Sequence, residues 1–184
     1  MEQGLKKYSE VLKIAITGPE STGKTSLAEN LAKHFETIYT YEFARTYLDE
    51  INRPYVFEDI EFMAKKQKEM EDEMLPNANK ILFCDTDILV TKIWSEFVFD
   101  KCSPWIQKVF VANHYDLYLL CNIDIEWEYD PQREHPHKRQ ELFNLYKNTL
   151  EKHNFPFHVI SGEGNNRIEN AIRIIQKNYY GKYL

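Results

Sequence analysis

The chain has 184 residues, enough for one domain with a substantial core, and 29 acidic against 23 basic side chains give it a formal net charge of −6. No Lys/Arg-rich block interrupts that balance, which excludes a nucleic-acid backbone as the main partner and favours small-molecule chemistry. The longest apolar runs are only strand-sized, and Met1–Glu10 reads as a polar tail without a signal-peptide core, so no membrane contact is expected and a cytoplasmic location is.

In chain order, Val11–Thr17 is a short, β-branched apolar run, as a buried parallel strand requires. The octapeptide Gly18-Pro19-Glu20-Ser21-Thr22-Gly23-Lys24-Thr25 follows and fills every fixed position of G-x-x-x-x-G-K-[ST]. Its glycines let consecutive N–H groups curl around an anion, and the next helix adds its positive dipole end. Gly18, Glu20, Ser21, Thr22, Gly23, Lys24, Thr25 and the adjoining Ser26 are therefore the candidate ATP-binding residues. Lys24 would reach the β- and γ-phosphates, and Thr25 would offer its hydroxyl to Mg2+. Leu27, Leu31 and Phe35, beside Ala28 and Ala32, give the following helix one apolar face.

Thr37–Phe43 is β-rich and runs into Glu42 and Arg45. At the end of a strand this pair suits an acceptor site, with Glu42 as a base for a hydroxyl and Arg45 as its companion, although a surface ion pair has the same signature. Phe57–Met74 is predicted helical from the stripe Ile60, Met63, Met70 and Met74. Gln67 shares that stripe, where its amide could read a substrate edge or serve as a core residue bonded to backbone. Lys80–Cys84 is a strand closing on Asp85-Thr86-Asp87. Asp85 is the expected metal-side carboxylate, whereas Asp87 reads equally as a site residue and as the N-cap of a helix over Ile88–Phe97.

In the second half, Trp105–Ala112, Arg139–His153 and Arg167–Tyr179 are predicted helices, and Asp116–Cys121 and Phe155–Ile160 strands. Strands alternating with helices predict a parallel sheet covered on both faces. The segment 127–139, rich in charge and proline, is expected to be a lid. Its Arg133 and Arg139 could swing over the phosphates and exclude water. His135 and His137 form an H-x-H pair without an evident third metal ligand. The turn from Ser161 to Arg167 could line an adenine pocket or simply join strand to helix. Cys84, Cys102 and Cys121 lack metal or disulfide spacing, which implies a reducing compartment.

Together these elements resemble the ribosylnicotinamide kinase domain of NadR-type NAD-salvage proteins, within the P-loop nucleoside and nucleotide kinases. The resemblance rests on Glu20 within the loop, Tyr41-Glu42-Phe43-Ala44-Arg45, Ala64 and Gln67, Asp85-Thr86-Asp87, and Glu126-Trp127 with Asp130 and Arg133. It implies an α/β P-loop NTPase three-layer sandwich with a parallel five-stranded sheet and a short lid, as one domain over residues 1–184.

The implied reaction is transfer of phosphate from ATP, with Mg2+, to the ribose 5′-hydroxyl of nicotinamide riboside. The resemblance then gives Lys24 and Thr25 the phosphate and magnesium roles, Asp85 the metal-side role and Arg133 the lid role; with Glu42 added, Lys24, Asp85 and Arg133 are the candidate catalytic residues, and Glu42, Arg45, Gln67 and Asp87 the candidate contacts to a pyridine riboside. It leaves open whether Glu42 or an aspartate of the D-T-D run is the base. Tyr47, Trp94 and Trp105 are candidates to face the cationic ring, each equally a core residue.

Two departures stand out. No T/H-x-G-H adenylyltransferase signature occurs and only Met1–Glu10 precedes the first strand, so making the dinucleotide is expected to fall to another protein. Pro131 replaces the glycine expected after the lid aspartate, which stiffens that turn. A GTPase lacks support, since no N-K-x-D base reader is present, and an AAA-type motor would need a helical subdomain of its own. No motif sets an oligomeric state.

Overall fold

A computed structural model describes residues 11–112 and 115–179; the expected tail Met1–Glu10 lies outside them. Five parallel strands, β1 (Leu12–Thr17), β2 (Ile38–Thr40), β3 (Ile81–Asp85), β4 (Leu117–Cys121) and β5 (Phe157–Ile160), pair in the order β2-β3-β1-β4-β5. Every residue of β3 and β4 is buried, which explains why these strands read as unbroken apolar runs rather than alternating ones.

Alternation along the strands divides the core into two layers. On one face Ile14, Ile16, Phe83 and Leu119 pack with Leu27 and Leu31 of α1 (Lys24–His34) and Ala171 and Ile175 of α7 (Gly164–Tyr179). On the other, Ala15, Leu82, Tyr118 and Leu120 meet α3 (Phe57–Met74), α4 (Ile88–Phe99), α5 (Pro104–Ala112) and α6 (Arg139–Lys152). Ile14 and Ile16 are fully buried, each worth about 1.5–3 kcal/mol. The result is the expected α/β three-layer sandwich with a parallel five-stranded sheet.

The main departure follows β2. The chain leaves the sheet after Thr40, and α2 (Phe43–Glu50) begins where a β-rich run was expected. Gln67 of α3 enforces the change: its amide oxygen accepts from Phe43 N at 2.9 Å and its amide nitrogen donates to Tyr41 O at 3.1 Å. Phe43 and Tyr47 then stack one turn apart at 6.2 Å. Segment 127–139 forms an extended strap with a turn at 131–132 and a single 3-10 turn, Pro136–Lys138, before α6.

Candidate phosphotransfer site

β1 lies between β3 and β4, so the loop after it emerges at the topological switch point, where open parallel sheets bind ligands. Gly18 has φ +134°, and a Cβ there would stand 3.0 Å from Cys121 O, so only glycine lets this turn press against β4. Gly23, at φ +72°, occupies the N-cap position of α1. Thr22 Oγ1 donates to Pro19 O at 2.8 Å and braces the turn, while Lys24 Nζ donates to Gly18 O at 3.1 Å and Pro19 O at 2.9 Å. The loop is thus closed from within, and the free N-terminus of α1 opens into the cleft.

That cleft, of about 810 Å³, is lined by residues 18–27 together with Glu42, Arg45 and Arg133, so the structure brings most of the expected site residues to one place. Asp85 is not among the lining residues; it ends β3 behind the loop, close to Thr25 and Lys24. Its two carboxylate oxygens are buried and make no hydrogen bond of good geometry among the described residues, although the Thr25 hydroxyl is close by. Burial raises its pKa to about 6, against the pull of the Thr25 hydroxyl and the Lys24 ammonium toward the charged form. A buried carboxylate with unused oxygens beside a hydroxyl fits a magnesium ion, which takes few protein ligands and completes its shell with water and phosphate.

Two expected substrate contacts are corrected. Gln67 lies behind the cleft wall, spent on the backbone of Tyr41, Phe43 and Asp85, and Asp87 does not line the cleft. Asp87 caps α4, Oδ1 accepting from Val90 N at 2.9 Å, and burial pushes its pKa up to about 7. Between the two aspartates Thr86 adopts φ +66°, a strained conformation for a β-branched residue. Arg45 lines the cleft, and its guanidinium also pairs with Asp130 of the strap at 2.7 Å.

The strap is docked over the cleft. Ser21 Oγ accepts from Glu128 N at 2.9 Å and from Arg133 Nη1 at 3.3 Å, and Arg139 Nη2 donates to Ser21 O at 2.8 Å. Arg139 also lies over the Trp127 ring at 5.9 Å. His135 contributes its ring edge to Phe97 at 5.0 Å, whereas His137 is exposed.

The far end of the cleft is walled by Leu48, Tyr55, Ile93, Trp94, Phe97 and Tyr146. Of the three aromatic candidates only Trp94 is among them. Tyr47 packs on Phe43 and Phe62 and donates to Asp59, and Trp105 lies under Lys65. Tyr55 was not foreseen, because it sits in an irregular loop that carries no pattern. It meets Trp94 edge-on at 5.0 Å, accepts from the indole N–H at 3.1 Å, and donates to Glu134 of the strap at 2.6 Å. Gly164, Asn165, Arg167 and Ile168 border the opposite end, which puts the 161–167 turn at the cleft. Arg167 is buried there, donating to Gly162 O and Ile160 O and paired with Asp124.

A family model described as an AAA domain matches residues 13–167. The trifunctional NAD biosynthesis/regulator protein NadR of Escherichia coli K12 is 30% identical over 152 residues, covering 78% of this chain and 37% of the relative. That of Salmonella typhimurium LT2 is 27% identical over 173 residues, covering 89% and 42%. The chain therefore spans about two fifths of the length of these relatives.

Among solved structures, a NadR protein in complex with NR superposes with TM-score 0.83 at 22% identity, covering 97% of this chain and 53% of that one. Thymidylate kinase of Ehrlichia chaffeensis superposes at 0.67 with 15% identity, covering 90% and 99%. The layers and strand order are those of P-loop kinases, and no AAA-type helical subdomain accompanies them among the described residues. On the family match and the shared NadR segment, the chain belongs to the AAA domain family of P-loop proteins as a homologue of NadR.

Proposed function

We propose that this domain transfers the γ-phosphoryl group of ATP to the 5′-hydroxyl of nicotinamide riboside, giving nicotinamide mononucleotide and ADP. The observation that carries the reading is one cleft that joins a phosphate loop to a carboxylate, Glu42, and to the aromatic wall of Tyr55 and Trp94. The NadR relatives, and a matched structure that holds NR, which we read as nicotinamide riboside, support the choice of acceptor.

In this mechanism ATP lies along the loop, its phosphates on the N–H groups of residues 18–25 and the N-terminus of α1, with adenine near Gly164 and Asn165. The cationic pyridine ring packs in the aromatic wall, where ring faces attract positive charge. Glu42, half-buried at the N-cap of α2, orients the 5′-hydroxyl and accepts its proton as the oxygen–phosphorus bond forms. The bond to the bridging oxygen breaks and ADP leaves. Lys24 and Arg133 stabilise the charge that spreads over the phosphoryl oxygens. Thr25 and Asp85 would hold magnesium, which supplies further charge neutralisation at the β- and γ-oxygens when bound. The burial of its carboxylate beside the Thr25 hydroxyl supports reading Asp85 in the metal role and Glu42 as the base.

Purified protein with Mg-ATP and a panel of pyridine ribosides, nucleosides and nucleoside monophosphates, followed by ADP release, tests the reading. Nicotinamide riboside is expected to turn over fastest. Turnover of a deoxynucleoside or a monophosphate with nicotinamide riboside inert would overturn the acceptor and leave a kinase of another substrate. ATP hydrolysis indifferent to every acceptor would overturn the transfer itself.

A further inference from the structure

The phosphate loop carries two side chains that its anion-binding task does not use. The loop holds phosphate with backbone N–H groups, so residues 20 and 21 are free to act elsewhere. In this structure both act on the strap. Glu20 Oε2 accepts from Glu134 N at 3.1 Å and His135 N at 3.2 Å, and Oε1 stands 3.3 Å from Glu134 N. Ser21 takes the other end of the strap through Glu128 N at 2.9 Å. Arg133 lies between these two anchors, immediately before the pair of N–H groups that Glu20 holds, and its own guanidinium donates to Glu128 O at 2.5 Å and Ser21 Oγ at 3.3 Å.

Charge makes the arrangement informative. A carboxylate at the mouth of a phosphate site repels the anion unless something compensates it. Here the compensation comes from the strap's own backbone dipoles and therefore exists only while the strap is docked.

We propose that Glu20 is a positioning residue for phosphoryl transfer: by accepting the N–H groups of Glu134 and His135 it fixes Arg133 over the phosphates and sets how the γ-phosphoryl group divides between acceptor and water. The inference rests on the phosphotransfer reading above. In either branch the bond to the bridging oxygen breaks and ADP leaves. In transfer, the acceptor oxygen takes the phosphoryl group and its proton passes to Glu42; in hydrolysis, water takes the phosphoryl group and its proton is released to solvent.

Two measurements on the whole chain test this: hydrogen exchange of the strap amides with an unhydrolysable ATP analogue bound, and ATP consumed per acceptor phosphorylated. In E20A, exchange at 134 and 135 is expected to quicken about tenfold while strand amides keep their protection, since two charge-assisted hydrogen bonds are lost. The ATP consumed per transfer should rise at least about threefold. E20Q, whose neutral amide oxygen still accepts an N–H, should recover part of both effects. In an R133A background E20A should change the partition less than about twofold, because the two act as one unit.

Unchanged exchange in E20A, lost protection with an unchanged partition, or effects of E20A and R133A that multiply would each overturn the proposal. A wild-type chain inert toward every acceptor would overturn the transfer reading and the partition with it. Exchange at 134 and 135 would still decide whether Glu20 holds the strap.

Discussion

Arg45 Nη1 donates to Asp130 Oδ2 at 2.7 Å, tying the start of α2 to the strap that covers the phosphate loop. Gln132 adds a second tie from the same strap, donating to Arg45 O at 3.1 Å and to Asp49 Oδ1 at 2.5 Å. The helix that presents Glu42 and the segment that carries Arg133 therefore move as neighbours. Both members of the pair are partly exposed, so it adds at most about 1 kcal/mol to stability and its consequence lies in docking the strap.

If the Arg45–Asp130 pair acts mainly by docking the strap, R45A and D130N should behave alike. Each is expected to lower kcat/KM about threefold to tenfold with Tm shifted by less than about 3 °C, and the double variant should be little worse than either. Steady-state kinetics and thermal melts of the three proteins check this. A large loss in R45A with D130N near wild type would return Arg45 to the acceptor.

Among the described residues Lys24 bonds to the carbonyls of Gly18 and Pro19 in its own loop, so in the proposed mechanism removing its ammonium should cost the fold little and the chemistry much. K24A should keep its circular dichroism spectrum and lose at least about a hundredfold in turnover, the scale of one lost group that stabilises transferring charge. Near-normal turnover in a folded K24A would sink the mechanism.

Glu42 and Asp85 are separated by what each does when neutralised. In the proposed mechanism E42Q removes the proton acceptor and should lower kcat at least about a hundredfold while the magnesium concentration for half-maximal rate stays put. D85N removes a metal-side charge and should shift that magnesium requirement upward by about tenfold or more. Magnesium titrations at saturating ATP and acceptor distinguish them. A shifted magnesium dependence in E42Q with none in D85N would exchange the assignments.

Elements set by local pattern were legible in the sequence; those set by distant partners were not. The loop from Gly18 to Thr25, the buried runs of β3 and β4 and the stripe of α3 each carry their own signal, because periodicity and glycine placement are local facts. α2 was hidden because Gln67, more than twenty residues downstream, takes the backbone groups that end β2. The same distance effect moved Arg45 to a partner 85 residues away and brought Tyr55 to Trp94 and Glu134. Spacing alone could say that Gln67 and Asp87 faced inward with α3 and α4, but not that backbone, rather than substrate, would use them.

Asp87 yields a prediction in which the sign decides. Its side chain is wholly buried, with Oδ1 on Val90 N and no partner for Oδ2 among the described residues. Burial, aided by the negative charge of Glu71, raises its pKa from 3.8 to about 7, against the Val90 and Leu89 N–H groups. Between those two values the native chain keeps a proton that the unfolded chain releases. This group therefore makes stability fall as pH rises from about 4 to about 7, and adds no further slope above that window. Asparagine at the same position still caps α4 through its side-chain oxygen but does not titrate. D87N should thus gain on the wild type steadily across the window and hold its advantage above it, although many other groups shape both curves equally. Urea unfolding midpoints of the two proteins at pH values from about 5 to about 8 measure the difference directly. Parallel curves would mean that Asp87 is charged in the native state throughout, and that its second oxygen has a partner supplied by solvent or ligand.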